Sequence, residues 1–206
     1  MTVIETHNLS AGYTTPIIAG LNLSVNAGDY LCICGPNGSG KSTLMKTILG
    51  LIPPLSGSVK IFAGAGDVGY VPQQNEAQKD FPASVREVVV SGFQGRLGFR
   101  PFYSKKERES AESAMMRMNI ADLSRKSYRE LSGGQRQRVL ISRALCAGRK
   151  IMFLDEPVAG LDSQSAKEMY SVIHELNTEG MTVIMISHDT ESSLKYATRV
   201  LTLGRA

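Results

Sequence analysis

Three short stretches carry residues whose types and spacing can do chemistry. Residues 35–43 read GPNGSGKST, a G-x-x-x-x-G-K-[ST] spacing that follows an apolar run and precedes a helical pattern. Gly35, Gly38 and Gly40 let backbone N–H groups turn inward around a phosphate, assisted by the N-terminus of the helix that follows. Lys41 can reach the β- and γ-phosphates of a nucleotide, and the Ser42 hydroxyl can ligate Mg²⁺; Pro36, Asn37, Ser39 and Thr43 complete the candidate nucleotide-binding loop. The second stretch, IMFLDEP at 151–157, ends four apolar residues on Asp155 and Glu156. Alone, an acidic pair ending a strand is ordinary loop solvation. Downstream of a phosphate loop it supplies an Mg²⁺ ligand, Asp155, and a carboxylate, Glu156, able to polarise an attacking water. The third stretch, ELSGGQRQR at 130–138, has the look of another phosphate cradle at a helix start. One small chain therefore carries two cradles.

The elements that must position these residues alternate between strand and helix patterns. TVIETHNLS, LNLSV and YLCICG read as strands, the last running into the phosphate loop, and a helix follows from Lys41 to about Leu49, ended by Gly50 and Pro53–Pro54. SGSVKIF and VGYVPQ read as further strands. From Ser84 to about Gly148 the pattern is helical, with a Ser104/Glu107 capping box and an apolar stripe of Ala111, Ala114, Met115 and Met118. KIMFLDEP is a strand, followed by a helix with Ala166, Met169, Tyr170, Ile173 and Leu176 on one face, then strands MTVIMISHD and RVLTL. Strands apolar throughout and alternating with helices imply a parallel sheet covered on both faces. The expectation from this pattern is an α/β fold with a mainly parallel sheet; the family resemblance that the motifs carry implies the rest, a P-loop NTPase (RecA-like) core with an N-terminal antiparallel β subdomain and an inserted helical subdomain at about 80–148, all in one domain spanning 1–206.

Composition narrows the function classes. A net charge of +4, without clustering, does not argue for nucleic acid. The most basic run, RLGFRPFYSKKER at 96–108, reads as a solvated face, with a membrane surface as the alternative. No apolar run reaches spanning length and no signal peptide is seen, so the chain is expected in the cytosol unless a partner holds it at a membrane. Cys32, Cys34 and Cys146 fit a reducing compartment; Cys32 and Cys34, two apart on a strand, face the same way and read as small buried hydrophobes rather than a metal pair. His7 and His174 have no ligand-spaced neighbours.

The GPNGSGKST loop, LSGGQ at 131–135 and LDEP at 154–157 closely resemble the ATP-binding-cassette ATPases, the engines of ABC transporters, along essentially the whole chain. The resemblance implies that LSGGQ works in trans: two subunits pack head to tail, and each ATP lies between one phosphate loop and the partner's Ser132, Gly133, Gly134 and Gln135. It further implies that Tyr13 stacks on adenine, a strand-end core tyrosine being the alternative. Gln73 (Gln74 as alternative) would contact Mg²⁺ or water and sense the membrane partner, Asp162 would cross the dimer interface, and His188 would contact the γ-phosphate. His188 also follows a buried strand on the ligand side of the sheet, where a bland surface histidine is unusual.

By the same resemblance the cofactors are ATP and Mg²⁺, held by Ser42, Gln73 and Asp155. The partners would be a second copy, integral membrane permease subunits and, indirectly, an extracytoplasmic solute-binding protein, without nucleic acid. The chain would lie peripherally on the cytoplasmic face of the membrane. FPASVREVVVSGFQGRLG and DEPVAGLD are similar to the zinc, manganese and iron importer branch, with siderophore and cobalamin importers as competitors and a soluble ATP-switch protein as the alternative from another class. Only 18 residues follow His188, fewer than the family usually carries, which predicts no regulatory C-terminal domain and weakened last strands.

Overall fold

The computed structural model describes residues 1–64, 66–73, 82–188 and 193–204. Two sheets organise it. Strands β1 (Thr2–Gly12), β2 (Pro16–Asn26) and β4 (Ser56–Ile61) form an antiparallel sheet in the order β2–β1–β4. Strands β3 (Tyr30–Cys34), β5 (Val68–Val71), β6 (Ile151–Asp155), β7 (Thr182–Ile186) and β8 (Arg199–Thr202) form a second sheet, order β5–β6–β7–β3–β8, in which every pairing is parallel.

The central strands are buried along their whole length because both faces are covered. Their alternation divides the core in two. Tyr30, Met152, Leu154, Val183 and Met185 face one cluster, completed by Met169, Tyr170, Ile173 and Leu176 of α5 (Ser163–Thr178) and by the helical region. Leu31, Ile33, Ile151, Phe153, Ile184 and Ile186 face the other, completed by Leu44, Met45 and Ile48 of α1 (Lys41–Ile48) and by Ile4, Leu9 and Val25 of the antiparallel sheet. The expected strand LNLSV is the second half of an 11-residue strand. Its first half escapes a periodicity reading because Pro16 opens it and Gly20, at φ +67°, sits where the register shifts.

Between β5 and β6 lie α2 (Val85–Val90), α3 (Lys105–Arg117) and α4 (Gly133–Ala147), joined by short 3₁₀ turns. All three helices start on a capping box: Ser84 with Glu87, Ser104 with Glu107 and Ser132 with Gln135. Helix α5 is capped by Asp162, whose side chain accepts from the Gln164 and Ser165 amides. Helix α1 differs. Its N-cap is Gly40, in the left-handed conformation, and no side chain caps its first turn. Strand β8 pairs with β3 from Leu31 through Cys34, so the last strand is in register despite the few residues after His188.

Candidate active site

A parallel sheet sends all its strand ends to one edge, and that explains why distant residues meet. Strand β3 runs into the loop at 35–40, β5 into Gln73, β6 into Glu156 and β7 into His188. The loop itself is built on close approach. A Cβ on Gly35, at φ +150°, would lie 2.5 Å from the Leu203 carbonyl oxygen and 2.8 Å from Ser39 Oγ, and one on Gly40 would meet Ile17 at 2.8 Å. Ser39 Oγ is buried without a hydrogen-bond partner among the described residues. Together with the uncapped first turn of α1, this leaves donors gathered where a phosphate would accept them. Lys41 is 6% exposed, and its Nζ donates to the Gly35 and Pro36 carbonyls at 2.8 and 2.9 Å. The ammonium is thus held across the mouth of the loop. Pro36, Asn37 and Gly38 shape the turn, and Thr43 lies inside the first turn of the helix.

Ser42 Oγ donates to Asp155 Oδ1 at 3.1 Å. Asp155 is 2% exposed, and burial holds its carboxyl above the usual range; the Ser42 hydrogen bond and the Lys46 and Lys41 charges oppose that rise, while Glu156 adds to it. Lys46 is a further charge at the site, absent from the motif spacing. The available signal is its position four residues after Ser42, on the same helical face. Glu156 is at φ +52°, left-handed backbone that a non-glycine residue rarely adopts, with its amide donating to the Ile186 carbonyl at 3.1 Å. Gln73 Nε2 donates to Glu156 Oε2 at 2.9 Å, and His188 Nε2 closes on Glu156 Oε1. Glu156 is therefore gripped from two sides. Gln74 lies outside the described residues.

Other expected site residues fall elsewhere. Tyr13 is 66% exposed in the turn between β1 and β2, so it is not a core tyrosine. Ser132 and Gly133 are exposed and Gly134 and Gln135 half-buried at the start of α4. The hydrogen bonds of Ser132 and Gln135 close on each other: Ser132 N–H donates to Gln135 Oε1 at 3.0 Å and Gln135 N–H to Ser132 Oγ at 3.3 Å. A Cβ on Gly133 would lie 3.7 Å from Leu161, and one on Gly134 would lie 3.8 Å from Ser165 Oγ in α5. Asp162 is exposed, and besides capping α5 it accepts from Ser165 Oγ at 2.6 Å. That capping role is readable from D-S-Q-S before an apolar-periodic run. Cys32 and Cys34 are buried with their sulfurs 3.4 Å apart, and burial pushes the Cys32 thiol up to about 12.

A parallel sheet delivering a glycine-rich phosphate loop, a buried aspartate and a braced glutamate to one edge defines a P-loop nucleotide-binding protein. The sequence model of the ABC transporter family matches residues 18–159, and the chain belongs to that family. Among its relatives, the manganese transport system ATP-binding protein MntB of Bacillus subtilis is 37% identical, the match covering 97% of this chain and 82% of the relative. The zinc uptake system ATP-binding protein ZurA of Listeria monocytogenes is 36% identical over 98% of this chain and 83% of its own length. Among solved structures, a metal-chelate type ABC transporter in an inward-facing conformation superposes with a TM-score of 0.90 at 30% identity, covering 98% of this chain and 79% of the other. An ATP-binding cassette of an ABC transporter in its ADP conformation superposes with a TM-score of 0.83 at 25% identity, covering 100% and 90%.

Proposed function

We propose that the chain hydrolyses ATP to ADP and phosphate and thereby powers a separate integral-membrane permease that imports a transition-metal ion. The observation that carries hydrolysis is the Glu156 carboxylate, held by Gln73 and His188 next to the Ser42–Asp155 pair. Lys41 offers its ammonium to the β- and γ-phosphates once it leaves the loop carbonyls. Glu156 orients the attacking water and takes its proton, and His188 and Gln73 fix the carboxylate while contacting the phosphate side of the site. Ser42, Asp155 and Gln73 offer only oxygen ligands and would hold Mg²⁺, which supplies charge neutralisation at the phosphates. Tyr13, exposed at the turn, stacks on adenine.

The exposed start of α4 supports the two-chain site. Residues 132–135 of one copy cap the γ-phosphate bound by residues 35–43 of another, with Asp162 near the seam, in a head-to-tail homodimer. The whole of 1–206 acts as one ATPase unit, with about 80–148 as its helical insertion, peripheral on the cytoplasmic face beneath the permease. An extracytoplasmic solute-binding protein meets the permease and not this chain. Metal import as the task is supported by the manganese and zinc systems in which the relatives serve. The metal-chelate transporter structure favours a second reading, import of a chelated metal.

Purified Glu156→Gln should bind ATP normally and accumulate an ATP-bound dimer while turnover drops by about 10²-fold or more; near-normal turnover removes Glu156 from its role. For the cargo, loss of the chain should lower cellular zinc, manganese or iron and be rescued by excess of that ion. Unchanged metal content with loss of siderophore or cobalamin uptake selects the second reading.

A further inference from the structure

The turn from Arg96 to Lys105, which leads into α3, holds two phenylalanines that the fold leaves in solvent. Phe99 is fully exposed and Phe102 is 75% exposed, three residues apart, while Phe93 just upstream is buried at 3%. The same segment walls a cavity of about 280 Å³. Four cations line it, Arg96, Arg100, Lys106 and Arg149, against one carboxylate, Glu107. Two of these cations have structural work. Arg96 donates to the Cys146 and Ala147 carbonyls at the end of α4, and Arg100 makes a bidentate pair with Glu107 at 2.8 and 3.3 Å. Lys106 and Arg149 are exposed and have no ion-pair partner among the described residues. Lys105 and Arg108 are exposed on the adjacent first turn of α3.

A solvated basic face accounts for the lysines and arginines but not for two phenylalanine rings projecting among them. Aromatic rings at headgroup depth beside cations facing lipid phosphates are the signature of a surface that rests on an anionic bilayer. We propose that the turn at 97–104 sits on the anionic lipid surface, Phe99 and Phe102 entering the interface while Lys106 and Arg149 bind headgroup phosphates at the cavity. The inference does not depend on the cargo or on the permease, so the chain alone tests it.

The measurement is co-sedimentation of the purified full chain with vesicles of phosphatidylcholine, with and without phosphatidylglycerol. Binding should require phosphatidylglycerol and weaken as salt rises. Phe99→Ser with Phe102→Ser, and separately Lys106→Glu with Arg149→Glu, should each reduce vesicle affinity about tenfold, at unchanged ATPase rate. Lys60→Glu with Lys167→Glu changes the net charge equally at exposed positions elsewhere and should shift affinity less than about twofold. Equal binding to neutral vesicles overturns the proposal, as does a loss in the Lys60/Lys167 pair matching that in the Lys106/Arg149 pair. A wild-type chain that ignores both vesicle types, while the phenylalanine pair abolishes capture of the permease, assigns the face to a protein and also overturns it.

Discussion

Asp155 illustrates how a candidate site residue is held at a cost to stability. Burial raises its carboxyl pKa above the unfolded value, so between those two values the folded chain binds more protons than the unfolded one. Stability from this group is present at low pH and is lost as pH rises through that window; at neutral pH the ionised, buried carboxylate destabilises the nucleotide-free fold. Asp155→Asn keeps an oxygen to accept from Ser42 and removes the charge. It should raise stability by about 1 kcal/mol, roughly 2–4 °C in melting temperature, while nearly abolishing Mg²⁺-dependent turnover. Calorimetric melts of the nucleotide-free variant check the sign, and a lowered melting temperature contradicts it. The placement of Asp155 and Glu156 at the carboxyl end of a buried strand was legible because the acidic pair follows four apolar residues. The left-handed backbone of Glu156 and the approach of Lys46 were not, because both depend on how α1 and β7 meet the end of β6.

At the scale of elements, the caps were partly legible and the close approaches were not. Ser104-x-x-Glu107 announces its helix, but Gly69 in the middle of β5 looks only like a weak strand residue. The structure explains it: a Cβ there would lie 2.4 Å from the Ala144 carbonyl oxygen, so α4 packs its backbone directly on the strand. Gly69→Ala should therefore destabilise by about 2 kcal/mol through the displaced helix, measured by denaturant midpoint, although alanine is ordinarily tolerated in strands. Asp162 separates a structural from an interfacial role. Asp162→Ala loses the α5 cap and should cost about 1 kcal/mol, whereas Asp162→Asn retains a capping oxygen and should cost little. If Asp162→Asn nevertheless lowers ATPase activity at unchanged melting temperature, its charge acts at the dimer seam; equal loss of stability in both variants contradicts the capping argument.

The whole molecule poses the question of where its second cradle is used. Residues 35–43 lead into α1 and residues 132–135 open α4 with an exposed serine and glycine; that the second stretch serves a site on another copy is what the resemblance to the family implies, and no linear motif reveals it. Lys41→Ala removes the charge proposed to face the phosphates. Ser132→Asp keeps α4 capped, since aspartate caps as well as serine, but in the proposed two-copy site it would point a negative charge at the γ-phosphate bound by the other copy. Each homodimer should be inactive, for opposite reasons. In the heterodimer both lesions fall in one site, and the other site pairs an intact phosphate loop with an intact Ser132. Equal mixing with random exchange should restore activity to about a quarter of the wild-type rate, provided one site turns over alone. A Ser132→Asp homodimer that keeps full activity with a normal melting temperature would remove Ser132 from the site, because its fold is preserved and only the trans contact has been attacked.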